Sequence, residues 1–196
     1  LFSWWGFMDY YSYSYAAVGN RKGMDSDLYA NFRDDDIRKN QFNSILMPTG
    51  KFYYKGAEAN GFRPFSGPQS NIDSDSHYMR VAEMYLLHAE AAAENGNDAA
   101  ARTSLKALLD LRIDDSSYVD ALSGKALAEE AALQARLELF AEGQSYFIMK
   151  RRRETRTRGA NWLDNAGESF SHTDERLTYE IPQEEILFNP NVSDQN

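Results

Sequence analysis

The chain has 196 residues, 42% hydrophobic and 26% charged, enough for one sizeable core. A net charge of −9 argues against a nucleic-acid partner, which would need a basic stripe. No run approaches the roughly 18 apolar residues of a membrane span, and without Cys there is no disulfide, thiolate metal site or lipidated Cys in these residues.

Residues 1–20 are rich in aromatics. Tyr11-Ser12-Tyr13-Ser14-Tyr15 alternates, so an extended backbone would place three Tyr on one face. Residues 24–75 read as mostly irregular, with strand-like runs at Ile45–Met47 and Lys51–Lys55 and a turn at Arg63–Pro68. Asp34-Asp35-Asp36 reads as a solvated turn. Ser74–Ser76 offer N-caps for a helix over about 77–95. Its apolar stripes are Met79, Ala82, Leu86, Ala89, Ala93 and Val81, Tyr85, Ala92, and Arg80, Glu83, Glu90 and Glu94 form the polar face. Gly96 stops it, and Asp98 is the expected cap of a second helix, 98–112, with Ala101, Leu105, Leu108 and Leu109 inward. The two make one hairpin of tetratricopeptide length. A lone unit cannot cover its own faces, so further helical structure is expected to pack on it, from an upstream part or from the rest of the chain.

A third helix is predicted over 125–142, a short one from Tyr146 to Arg153, loops over 154–178, and an extended edge segment at Tyr179–Pro182. The chain divides into a loop-rich, aromatic-rich part, 1–76, and a helical part, 77–196.

Several residue sets invite a chemical reading. Glu138 and Glu142 share a helix face. They could serve as an acid/base pair, but their place on a packed helix favours a solvated or Arg-paired structural role. Asn71–Ser76 resembles the opening of a calcium loop. It lacks the central Gly and the closing acid, so helix capping is the better reading. His77, His88 and His172 have no metal-ligand spacing, and there is no nucleophile elbow, dinucleotide fingerprint or P-loop. No metal and no cofactor are expected. Lys150–Arg153 places cations at a helix end, where they suit the dipole. The candidate ligand-binding residues are Trp4, Trp5, Tyr10, Tyr11, Tyr13 and Trp162, because sugar rings stack their C–H faces on aromatic faces. Asn20, Arg21, Asp25 and Asp27 could serve the hydroxyls at the rim.

Three segments carry a family resemblance. They are Arg80-Val81-Ala82-Glu83-Met84-Tyr85-Leu86-Leu87-His88-Ala89-Glu90-Ala91, then Arg136-Leu137-Glu138-Leu139-Phe140-Ala141-Glu142-Gly143 running on to Phe147 and Lys150-Arg151, and Ile181-Pro182-Gln183-Glu184-Glu185-Ile186 with Asn189-Pro190-Asn191. Together, in this order, they resemble the C-terminal portion of SusD/RagB proteins. Departures are His88, where the family more often has Arg, Gln144-Ser145 and Ile148. The resemblance implies a mainly α, SusD-like fold: a tetratricopeptide-type hairpin plus further helices, with a loop-rich ligand-facing part and minor strands. It implies a non-enzymatic surface protein that binds oligosaccharide and partners a SusC-like TonB-dependent outer-membrane transporter. It also implies a place on the extracellular face of the outer membrane, held by a lipid anchor in an N-terminal part missing from this sequence. The alternatives are a peptide-binding member of the family, a helical glycoside hydrolase, and a tetratricopeptide-type adaptor.

Overall fold

In this computed structural model the structure describes residues 23–42, 79–140, 142–162 and 164–192. Trp4, Trp5, Tyr10, Tyr11 and Tyr13, the strand-like runs within 45–55 and the Ser74–Ser76 caps lie outside them.

The core is built by α2 (Val81–Glu94), α3 (Asp98–Leu109) and α4 (Gly124–Glu138). The turn between α2 and α3 is tight because two residues serve both helices. Gly96 takes φ +77°, which an L side chain resists. There its N–H reaches the Ala93 carbonyl at 3.0 Å and the Asn97 N–H reaches Ala92 at 2.8 Å. Asn97 then caps α3, its side chain accepting from the Ala100 N–H. Asp98, expected as the cap, instead accepts from the Gly124 N–H at 3.0 Å and so ties α3 to the start of α4. Both helices are shorter than their patterns suggested: α2 starts after Arg80, and α3 ends at Leu109.

Leu86, Ala89 and Ala93 from α2 meet Ala101, Leu105, Leu108 and Leu109 from α3 and Leu127, Ala128, Ala131 and Ala135 from α4. The alanine face of α4 lets three helices approach closely around the leucines. Val81, Met79 and Tyr85, expected on apolar stripes, are exposed. Glu90, expected on the polar face, is buried, because Arg151 and Arg152 neutralise it at 2.6 and 3.2 Å.

The opposite face of α4 carries a second, smaller core. Met24, Leu28 and Phe32 bury against Leu137, with Tyr29, Phe42, Leu133 and Phe140 packed around them. This brings in α1 (Ser26–Tyr29), a single turn whose N-cap Asp25 accepts from the Asp27 and Leu28 N–H groups. Asp36 is not part of a solvated turn. It is buried, caps the 3₁₀ turn Ile37–Gln41 and forks with Arg38.

After α4, Gly143 at φ +79° redirects the chain into α5 (Gln144–Arg152), which buries Ile148 and Met149. The stretch expected to be loop then forms an antiparallel pair, β1 (Thr155–Thr157) with β2 (Ser169–Ser171), in register Arg156 with Phe170. The Tyr179–Pro182 segment is not a strand. Pro182 caps a short helix, α6 (Gln183–Phe188), since its extended ψ and fixed φ suit a helix entry. Among the described residues the result is mainly helical with one minor sheet, as the family resemblance implies.

Candidate functional site

Two polar assemblies stand out. The first gathers around Glu138, on the last turn of α4, which is 5% exposed. Arg112 forks onto it at 3.0 and 3.1 Å, Arg80 reaches it at 3.0 Å and Arg38 at 3.4 Å. Arg80 also forks onto Glu142 at 2.9 and 3.0 Å and donates to the Glu138 carbonyl at 2.8 Å. Burial alone would push the Glu138 carboxyl up. The hydrogen bonds and charges of Arg112, Arg38 and Arg80 outweigh it and hold the group at about 2. A carboxylate held so low carries no proton at neutral pH and cannot act as a general acid. The pair is a fastening. It ties the residue before α2, the end of α3 and the 36–38 turn to one point on α4.

The second assembly surrounds Trp162, in the turn that joins β1 to β2. Two hydrogen bonds, Arg158 N–H to the Glu168 carbonyl and Gly167 N–H to the Arg158 carbonyl, both 2.9 Å, extend the hairpin beyond the strands. From there Gly159 to Trp162 lean onto α1. The Asp25 carboxylate accepts from the Trp162 indole N–H at 2.6 Å and the Gly159 N–H at 2.7 Å. Asn161 clasps the same strip, donating to the Met24 carbonyl at 2.8 Å and accepting from the Ser26 N–H at 2.9 Å. Partial burial opposes the ionised form of Asp25, but these donors with the α1 amides hold its pKa below the usual value.

The ring itself stays 46% exposed. On one face sits the Arg158 guanidinium, 4.6 Å from its centroid. Arg158 lies 4.5 Å from the Phe170 ring as well, and Arg176 lies 4.2 Å from Phe170. The turn is thus held both by a carboxylate clamp and by a run of cation–π contacts. Exposed Asp164 and Asn165 border it.

Gly159 is buried because its place leaves no room for a side chain. A Cβ there would come within 2.8 Å of both Asp25 Oδ1 and Ser26 Oγ. Gly159→Ala is therefore expected to push the turn off α1. An increase in acrylamide quenching of tryptophan emission and a shifted indole N–H resonance would register this; an unchanged resonance would mean that Asp25 yields instead.

Of the six candidate ligand residues, the described part contains Trp162 alone, and the structure gives it a rigid, open setting. Asp25, expected at a ligand rim, has spent its carboxylate on the clamp. Asn161, Gly159, Arg158 and Phe170 were not among the candidates. The Gly159-Ala160-Asn161 turn chemistry was the available signal, but its docking site lies about 135 residues earlier in the chain. Lys150–Arg153 are not simply dipole partners: Lys150 donates to the His172 carbonyl, and Arg151 and Arg152 pair with Glu90. His88 bonds Ser104 at 2.7 Å. Among the described residues no group of three or more His, Asp or Glu could hold a metal.

The SusD family model matches residues 4–196. A SusD superfamily protein from Bacteroides thetaiotaomicron aligns with TM-score 0.65 and 23% identity, over 88% of this chain and 40% of its own. A SusD superfamily protein from Bacteroides fragilis aligns at 0.61 and 25%, over 86% and 36%. A SusD-like carbohydrate binding protein from Bacteroides vulgatus aligns at 0.60 and 25%, over 87% and 41%. The chain therefore spans about two fifths of the length of these structures. A search of curated proteins gives no match.

Proposed function

Because the chain belongs to the SusD family, we propose that it is part of a cell-surface protein that binds oligosaccharide and hands it to a SusC-like TonB-dependent transporter, without catalysis. The observation that carries this reading in the chain itself is Trp162: a half-exposed ring whose edge is clamped by Asp25 and one of whose faces is backed by Arg158. An aromatic face that is fixed before the ligand arrives loses little freedom on binding, which favours a flat, weakly polar partner such as a sugar ring. Exposed Asp164 and Asn165 of the same turn offer polar groups to sugar hydroxyls. The B. vulgatus relative, a SusD-like carbohydrate binding protein, supports the same ligand class. Trp4, Trp5, Tyr10, Tyr11 and Tyr13 are proposed to extend the ligand face.

The proposed lack of turnover is supported by Glu138 and Glu142, both of which are tied to arginines. The proposed location is the outer face of the outer membrane, through a lipid anchor. No helix among the described residues is long and apolar enough to cross a membrane.

Trp162→Ala is expected to weaken oligosaccharide binding by roughly 1–3 kcal/mol, by analogy with bases stacked on aromatics. Calorimetric titration against a panel of neutral and acidic oligosaccharides would measure it, with a reducing-end assay alongside. Binding to peptides but to no glycan, or release of new reducing ends, would sink the reading. Unchanged affinity in Trp162→Ala would move the site away from this turn.

A further inference from the structure

We propose that Arg136 of α4 and Arg156 of β1 form a seat for a small oxyanion, a carboxylate or sulfate group. The seat lies apart from the stacking face of Trp162 and does not depend on the glycan reading. Its basis is a set of donors with nothing to donate to. Arg136 Nε is buried without a hydrogen-bond partner in the protein, and so is Arg156 Nε, while Arg156 Nη2 meets Glu154 Oε2. Buried polar groups are bonded in the great majority of cases, so two such N–H groups, one on each guanidinium, call for an acceptor.

Charge leads to the same conclusion. Glu154 is the carboxylate in contact with Arg156, and its Oε1 already accepts from Arg152 Nε at 2.7 Å. Arg136 makes no ion pair among the described residues. Burial and the neighbouring Arg156 charge hold Arg136 down at about 10, against the opposing pull of Glu154 and Asp25. Burial likewise lowers Arg156. In a chain of net charge −9 this is a local excess of positive charge that is only partly hydrated. The side chain of Arg156 is still 26% exposed, so an anion can reach it. Planar guanidinium forks suit carboxylate and sulfate oxygens, whereas a point cation would not direct them.

Two sources carry this chemistry: a free inorganic anion and an acid group on a sugar. The test keeps ionic strength fixed with sodium chloride. It titrates the chain with sodium sulfate, sodium glucuronate or glucose, following thermal melting and the arginine Nε–H resonances. The expected result is a saturable rise in Tm, about 3–5 °C at ten times the dissociation constant for a chain of this size. The Nε resonances of Arg136 and Arg156 should shift with it. A response to glucuronate but not to glucose identifies a sugar acid; a response to sulfate alone identifies an inorganic anion. Arg136→Met should abolish the response and melt no lower than the unaltered chain, because it removes an unpaired, half-buried cation. Should that variant melt far lower, Arg136→Lys decides. It keeps stem and charge without the fork and is expected to bind about tenfold more weakly. Wild-type affinity in Arg136→Lys, a response that survives in Arg136→Met, or no saturable response to either anion overturns the seat.

Discussion

Replacing Glu138 by alanine is expected to cost about 3–5 kcal/mol of stability, the usual result of breaking a buried ion pair from one side. The reason is what stays behind. Arg112, Arg80 and Arg38 converge on this carboxylate, and three guanidinium groups would face one another without it. Glu138→Gln keeps the volume but not the charge and should lose a comparable amount. The same carboxylate makes stability depend on pH. Its pKa falls from 4.5 to about 2 on folding, so the folded state binds its proton less readily than the unfolded one. The contribution, about 3 kcal/mol from the size of the shift, is complete above the unfolded value. It drains away as pH drops from about 4.5 towards 2. Urea melts of both proteins between pH 7 and pH 2.5 provide the check. The stability gap between the parent and Glu138→Gln should be widest at neutral pH and narrow on the acid side. A gap under about 1 kcal/mol at neutral pH would be the behaviour of a solvated surface pair.

Leu105→Ala is the second large effect. Leu105 is 0% exposed and lies where α2, α3 and α4 share a core. Truncation removes apolar contact and leaves a cavity that three packed helices cannot close, at about 2–5 kcal/mol. For a domain of this size each kcal/mol lowers Tm by roughly 2–4 °C. Leu86, 1% exposed across the same core, should behave alike. Val81 and Leu111 are the controls, at 71% and 66% exposed, and their alanine variants should stay within about 0.5 kcal/mol. Calorimetric melting of the four variants separates the inward face from the outward one. A mild Leu105→Ala would mean that the helices are packed on other faces.

The hairpin and α4 were legible because their information is local. Leucine and alanine recur at helical spacing, and Gly96 marks the stop. What stayed hidden depended on partners distant in the chain. Glu90 looked like a surface acid because its arginines arrive 61 and 62 residues later. Asp36, in a run of three acids, looked solvated because its neighbour Arg38 is buried by partners about 100 residues later, Gln134 and Glu138. The β1–β2 pair escaped notice because Thr-Arg-Thr and Ser-Phe-Ser have no apolar alternation. Arginine–aromatic stacking beside the strands takes the place of an apolar face. Pro182 was read as the limit of a strand, though its geometry serves equally well before a helix. Trp162 was legible as a candidate from its polar, glycine-flanked loop. Its clamp was not, since nothing near Asp25 in sequence points to residues 159–162.

The clamp also has a consequence in time. Asp25 and Trp162 are separated by 137 positions, so a ribosome that adds about 5–20 residues per second makes one roughly 7–27 seconds before the other. During that interval α2 and α3 can close through their three-residue turn, a step of microseconds once both are outside the exit tunnel. Met24, Leu28 and Phe32 must meanwhile wait for Leu137 to emerge. The Trp162 turn is therefore the last of these parts to settle. In nascent chains halted at successive lengths, resistance to protease should reach the helical hairpin first and the strip around Asp25 only after residue 162 has left the tunnel.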